Sequence, residues 1–144
     1  MTELETIAIE RACERVVLDW VALNDQQKFD HLAELFTEDG IMVRPNGDSL
    51  IGREAILKSY TSRPGGRITR HICTNIRITV ESPERARGSS YAVVYSAVPE
   101  RPPTAHFGIE AETRHLVGEF EDEFVRTPDG WRIQTRRARF VMHT

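Results

Sequence analysis

The spacing of apolar residues changes once along the chain, from a period near 3.6 to a period of two. Ile7, Ile9, Ala12, Cys13, Val16, Val17, Trp20 and Leu23 recur at three- and four-residue steps, which predicts a helix over about 6–24. Phe29, Leu32, Ala33, Leu35 and Phe36 form a second apolar face, predicting a helix over 28–36. Thr37-Glu38-Asp39-Gly40 stops it, with Gly40 suited to a left-handed C-terminal position. A short strand is expected over 41–44, ended by the turn Pro45-Asn46-Gly47-Asp48, and a third short helix over 52–60. After the loop Arg63-Pro64-Gly65-Gly66, alternation with β-branched and aromatic residues predicts strands over 68–81, 86–98, 114–126 and 131–142. Thr127-Pro128-Asp129-Gly130 is a strong hairpin turn and Ser82-Pro83-Glu84-Arg85 a weaker one. Residues 99–108, with three prolines, form a long loop.

Helices first and long antiparallel strands afterwards is an α+β pattern. Strands of about a dozen residues twist and curl, so the helices can close one side of a cone whose concave face is a natural small-molecule site. The length, 144 residues, fits one domain over 1–144 with room for one pocket. With 40% hydrophobic and 28% charged residues the chain is neither disordered nor membrane-embedded, and no apolar run approaches a membrane span. A net charge of −3 disfavours a dedicated nucleic-acid binder; Arg136-Arg137-Ala138-Arg139 is read as a strand face. The acidic start Met1-Thr2-Glu3-Leu4-Glu5 carries no secretory signal, so a cytoplasmic protein is expected. Cys13 and Cys73 are expected as buried small hydrophobes rather than a disulfide framework. His71, His106, His115 and His143 show no metal-ligand spacing, so no metal is predicted.

Four stretches, with the ending Asp129-Gly130-Trp131-Arg132-Ile133, carry a family resemblance. They are Trp20-Val21-Ala22-Leu23-Asn24-Asp25, Asp30-His31-Leu32-Ala33-Glu34-Leu35-Phe36-Thr37-Glu38-Asp39-Gly40, Ile51-Gly52-Arg53-Glu54-Ala55-Ile56 and Thr69-Arg70-His71-Ile72-Cys73-Thr74-Asn75. With the element order they resemble the SnoaL-like branch of the NTF2-like superfamily, which includes scytalone dehydratase, bile-acid dehydratases and dioxygenase β subunits. The resemblance implies three helices on a curved, mixed, mainly antiparallel sheet, and a homodimer formed through the sheet. It also implies a catalytic dyad of Asp25, just after the first helix, and His71, early in the strand after the third. Where some members have a tyrosine, this chain has Trp20 and Asn24; where scytalone dehydratase has a second histidine, Ser96 or Tyr95 falls. Its later polar positions fall near Glu119 and Glu121.

In an apolar cavity a carboxylate that fixes the tautomer of an imidazole lets it remove a proton alpha to a carbonyl, or help a hydroxyl leave, with no cofactor. His71 is the candidate base and Asp25 its orienter; the competing reading has Asp25 capping the second helix. Strict alternation places Ile68, Ile72, Ile76, Ile78 and Val80 on one face and His71, Cys73 and Asn75 on the other, so His71 faces the cavity only through a bulge near Arg70 or an isoleucine face buried in a dimer. Candidate substrate-binding residues are Trp20, Asn24, Arg44, Asn75, Tyr91 and Ser96; Trp20 could stack on a flat ligand and Arg44 could meet an anionic one. Glu119, Glu121, Asp122 and Glu123 are dense for a central strand and must face solvent or pair with Arg132, Arg136 or Arg137. The first reading is a cofactor-independent dehydratase-like lyase or isomerase for a small, mostly apolar cyclic or polyketide-like substrate. The alternative is a non-catalytic ligand-binding or accessory subunit resembling a dioxygenase β subunit, with an occluded pocket.

Overall fold

The computed structural model describes residues 1–144. Three helices, α1 (Glu3–Asp25), α2 (Phe29–Glu34) and α3 (Arg53–Thr61), accompany six strands: β1 (Phe36–Val43), β2 (Ser49–Ile51), β3 (Ile68–Ser82), β4 (Arg85–Ala97), β5 (Leu116–Thr127) and β6 (Gly130–His143). The strands form one sheet in the order β2-β1-β6-β5-β4-β3. Only β1 and β6 run parallel, so the sheet is mixed and mainly antiparallel, as expected.

Helix α1 starts three residues earlier than its apolar pattern suggests, because Thr2 and Glu5 close a capping box. It buries Ile9, Cys13, Val16, Val17 and Trp20 against Phe120, Phe124, Trp131 and Ile133 of the sheet, with Leu32, Phe36, Ile56 and Tyr60 completing the core. Its far end is a Schellman motif: Lys28 N–H donates to Leu23 O (2.9 Å) and Gln27 N–H to Asn24 O (3.0 Å), with Gln27 left-handed at φ 58°. That closure fixes the direction of the last helical residue, Asp25.

Two expectations are corrected around residue 36. The second helix stops at Glu34 because Phe36 opens β1 beside Ile133 of β6. Gly40 ends no helix. It lies in β1, where a Cβ would sit 3.0 Å from both Phe36 Cβ and Thr37 O and 3.3 Å from Ile133 O. Close backbone approach, rather than a left-handed turn, requires the glycine there. The short edge strand β2 was not foreseen.

Bulges decide which side chains face the helices. In β3 the register against β4 slips by one residue between Thr74 and Arg77, and Asn75 takes φ 54°. Before the slip Thr69, His71 and Cys73 face inward; after it Ile76, Ile78 and Val80 do. In β6 the pairing slips between Ile133 and Thr135, so after Trp131 and Ile133 the inward residues become Arg136 and Ala138.

Candidate active site

Asp25 and His71 meet. His71 Nδ1 lies 2.5 Å from Asp25 Oδ1, the His71 backbone N–H donates to Oδ2 at 2.9 Å, and Thr69 Oγ1 donates to Oδ1 at 2.9 Å. Both carboxylate oxygens are therefore held, and both side chains are nearly enclosed, at 11% and 12% exposure. Asp25 is not the cap of α2; Lys28 occupies that position without a side-chain bond. His71 turns inward by a bulge, but at Asn75 rather than near Arg70. With Nδ1 committed to Asp25, Nε2 is the ring nitrogen left for chemistry.

His71 opens onto a cleft of about 860 Å³. Its walls come from the end of α1 (Asn24), from Phe29, from Tyr60 of α3, from Thr69 of β3, and from Val94 and Ser96 of β4. Asn24 and Ser96 both line this cleft. Trp20 is buried behind the dyad instead of lining the cleft: its ring meets the His71 ring edge-on at 5.8 Å and Phe120 at 5.2 Å. Three more candidates are corrected. Asn75 is exposed at the bulge, and Tyr91, 49% exposed, lies on the outer face of the sheet because its neighbours Ser90 and Ala92 face inward. Arg44 belongs to the turn after β1, where its backbone N–H meets Asp48 O, and lies outside the cleft.

Tyr60, not singled out in the sequence, is 3% exposed and donates its hydroxyl to Met42 Sδ at 3.6 Å. Burial pushes its phenol up to about 12, so it remains protonated and able to donate across the neutral range. The α3 spacing Ile56 and Tyr60 marks it only as an inward helical position. The Cys73 thiol, next inward from His71, is also pushed up by burial.

Beneath Trp20 lies a pair hidden in the acidic cluster. Arg136 Nε and Nη2 donate to the two oxygens of Asp122 at 2.7 and 2.8 Å, with side chains 0% and 1% exposed. The guanidinium sits 4.6 Å from the Trp20 ring and 4.1 Å from that of Phe120. Glu119 instead pairs with Arg139 on the exposed face. The sequence allowed Arg136 among three possible partners; the β6 bulge selects it.

The SnoaL-like domain family matches residues 5–137. An uncharacterized protein of Mycobacterium tuberculosis (strain H37Rv) is 25% identical over 138 residues, covering 94% of this chain and 88% of that one. A Novosphingobium aromaticivorans structure provisionally named a scytalone dehydratase superposes with a TM-score of 0.81 at 24% identity, covering 99% of this chain and 91% of that one. A type 2 hexachlorocyclohexane dehydrochlorinase, LinA, also gives 0.81, at 16% identity over 99% of this chain and 92% of that one. These structural likenesses speak for the shared NTF2-like fold.

Proposed function

The chain belongs to the SnoaL-like domain family, and on that premise we propose that it is a cofactor-independent dehydratase-like lyase or isomerase in which His71 is the general base and Asp25 orients it. The observation that carries this reading is the Asp25–His71 contact at the wall of an open cleft of about 860 Å³. Asp25 holds the proton on Nδ1, so Nε2 presents its lone pair to the substrate. Nε2 takes the proton alpha to a carbonyl. The imidazolium, stabilised by the carboxylate, then gives that proton to the departing hydroxyl for dehydration, or to another carbon for isomerisation. Phe29, Val94 and Leu116 make part of the wall apolar, which suits a small cyclic or polyketide-like substrate. Dehydratase and dehydrochlorinase names among the structural neighbours agree with an elimination.

The non-catalytic alternative expected an occluded pocket, and an open cleft with a seated dyad favours catalysis. A homodimer through the sheet belongs to the same proposal, supported by Ile68, Ile72 and Tyr91 exposed on the outer face. The test is turnover of a panel of cyclic β-hydroxy ketones in deuterated water, followed by elimination and by deuterium uptake. His71→Ala and Asp25→Asn are expected to lower the rate about 10²–10⁴-fold. Full turnover in His71→Ala would refute the mechanism, and binding without turnover in the wild type would return the chain to the ligand-binding reading.

A further inference from the structure

We propose that the cleft takes an organic acid, and that Arg63 and Arg67 form the subsite for its carboxylate. This rests on the reading of the cleft as the ligand site and adds the charge of the ligand, which the dyad alone leaves open. Of the 17 residues that line the cleft, the charged ones are Arg63, Arg67 and Glu100, with His71 the one further titratable group besides Tyr60. Five arginines elsewhere are neutralised, Arg11 by Glu14, Arg87 by Glu81, Arg101 by Glu112, Arg136 by Asp122 and Arg139 by Glu119, and ten others form no ion pair; what sets Arg63 and Arg67 apart is that both line the cleft onto which His71 opens. Arg63 and Arg67 form no ion pair, Glu100 included, and so the cleft carries two uncompensated guanidinium groups against one carboxylate.

Both are held in place without using up their donors. Arg67 Nη2 donates to Ser96 Oγ at 2.9 Å, and its backbone carbonyl accepts from Gln27 Nε2 at 2.7 Å. Its Nε and Nη1 remain free for an anion. Arg63 lies 4.5 Å over the Tyr60 ring, which engages the guanidinium face and leaves its planar rim of N–H donors open. The loop joining them, Pro64-Gly65-Gly66, rests on the opposite wall: a Cβ on Gly66 (φ 87°) would come 3.2 Å from Pro99 Cγ. Two guanidinium forks at either end of one short loop suit a planar carboxylate, which each can meet with paired N–H groups.

The placement also orients the ligand. Arg67 precedes Thr69 and His71 by two and four residues, so roughly 13 Å of extended chain separates the Arg67 and His71 backbones. An acid bound at the arginines holds an apolar ring along Phe29 and Val94, with its far carbon toward His71 Nε2.

The test is calorimetric titration of the whole protein with 2-naphthoate and with its neutral isostere 2-naphthamide at pH 7.5. Naphthoate is expected to bind about tenfold or more tighter than the amide, and Arg63→Gln/Arg67→Gln to remove that preference by weakening naphthoate about tenfold more than the amide. Both arginines are exposed, so these substitutions spare the core. Raising salt from low to moderate concentration should weaken naphthoate alone. Equal binding of the two probes, or a preference that survives the double substitution, overturns the acid subsite and leaves the cleft reading standing. Failure of both probes to bind overturns the cleft as a site for flat apolar ligands, and the subsite with it.

Discussion

Replacing Asp122 by asparagine removes the charge from a pair that water does not reach. Arg136 then keeps its positive charge at 0% exposure, between the Trp20 and Phe120 rings, and its only carboxylate is gone. Two short charge-assisted bonds, at 2.7 and 2.8 Å, currently offset the desolvation of that guanidinium. Arg136 Nη1 already lacks a hydrogen-bond partner within the protein, so no spare acceptor stands by to take over. Breaking one side of a buried pair costs about 3–5 kcal/mol, against a total stability of about 5–15 kcal/mol for a domain. At about 3 °C per kcal/mol for a chain of this size, Asp122→Asn should lower Tm by roughly 9–15 °C. The double variant Asp122→Leu/Arg136→Met removes both charges and should recover most of that loss, because the pair's attraction and its desolvation nearly cancel. Urea unfolding of the wild type, Asp122→Leu, Arg136→Met and the double variant, with m-values checked for constancy, measures the coupling directly, and Asp122→Asn is unfolded beside them. A loss below about 1 kcal/mol for Asp122→Asn would refute the reasoning, and so would a double variant no better than the worse single one.

Two further expectations follow from the same structure. Asn75 holds the β3 bulge at φ 54°, a region costly for a β-branched residue, so Asn75→Val should destabilise by about 1–2 kcal/mol and Asn75→Gly by less than about 0.5 kcal/mol; equal effects in urea titrations would show that the bulge imposes no such constraint. Burial pushes Cys13 up to about 12 from 9.0, with Asp122 adding to it, and Tyr60 up to about 12 from 10.0, so both groups bind protons more tightly folded than unfolded. Their contribution is complete below about pH 9 and declines as pH rises from there toward 12; urea midpoints should fall across that window, Cys13→Ala should flatten the fall, and a level profile would contradict it.

Local pattern located most elements because each carries its own period. Helix α1 shows five inward residues at helical spacing, and β3 to β6 alternate between strong turn residues. What escaped depends on distant partners. Phe36 reads as the last turn of a helix until Ile133 lies beside it, and only that neighbour makes residues 36–40 a strand with a glycine pressed against the backbone. The Asp25–His71 contact was suggested by the family resemblance, whereas the sequence pattern alone favoured Asp25 as a cap. Tyr60, Arg63 and Arg67 carry no motif; they matter because α3 and its following loop form one wall of the cleft. Arg44, Asn75 and Tyr91 were plausible as residue types, and each was set aside by where its backbone points rather than by its chemistry.

Orientation on a strand is a matter of parity, and parity is what two inserted residues change. His71 and Ile76 are five apart, an odd number, so a regular strand cannot turn both toward the helices. The slip at Asn75 lets β3 present a polar half, Thr69, His71 and Cys73, and an apolar half, Ile76, Ile78 and Val80, on one face. The same device in β6 seats Trp131 and Ile133 in the core and then brings Arg136, three residues on, to Asp122. Neither bulge touches the cleft, yet one turns His71 toward Asp25 and the other puts a cation under the Trp20 ring that backs His71. A strand pattern that fits a core on one parity at each end therefore marks a bulge between them, and the residues on the minority side, here a histidine and an arginine, are where chemistry should be sought.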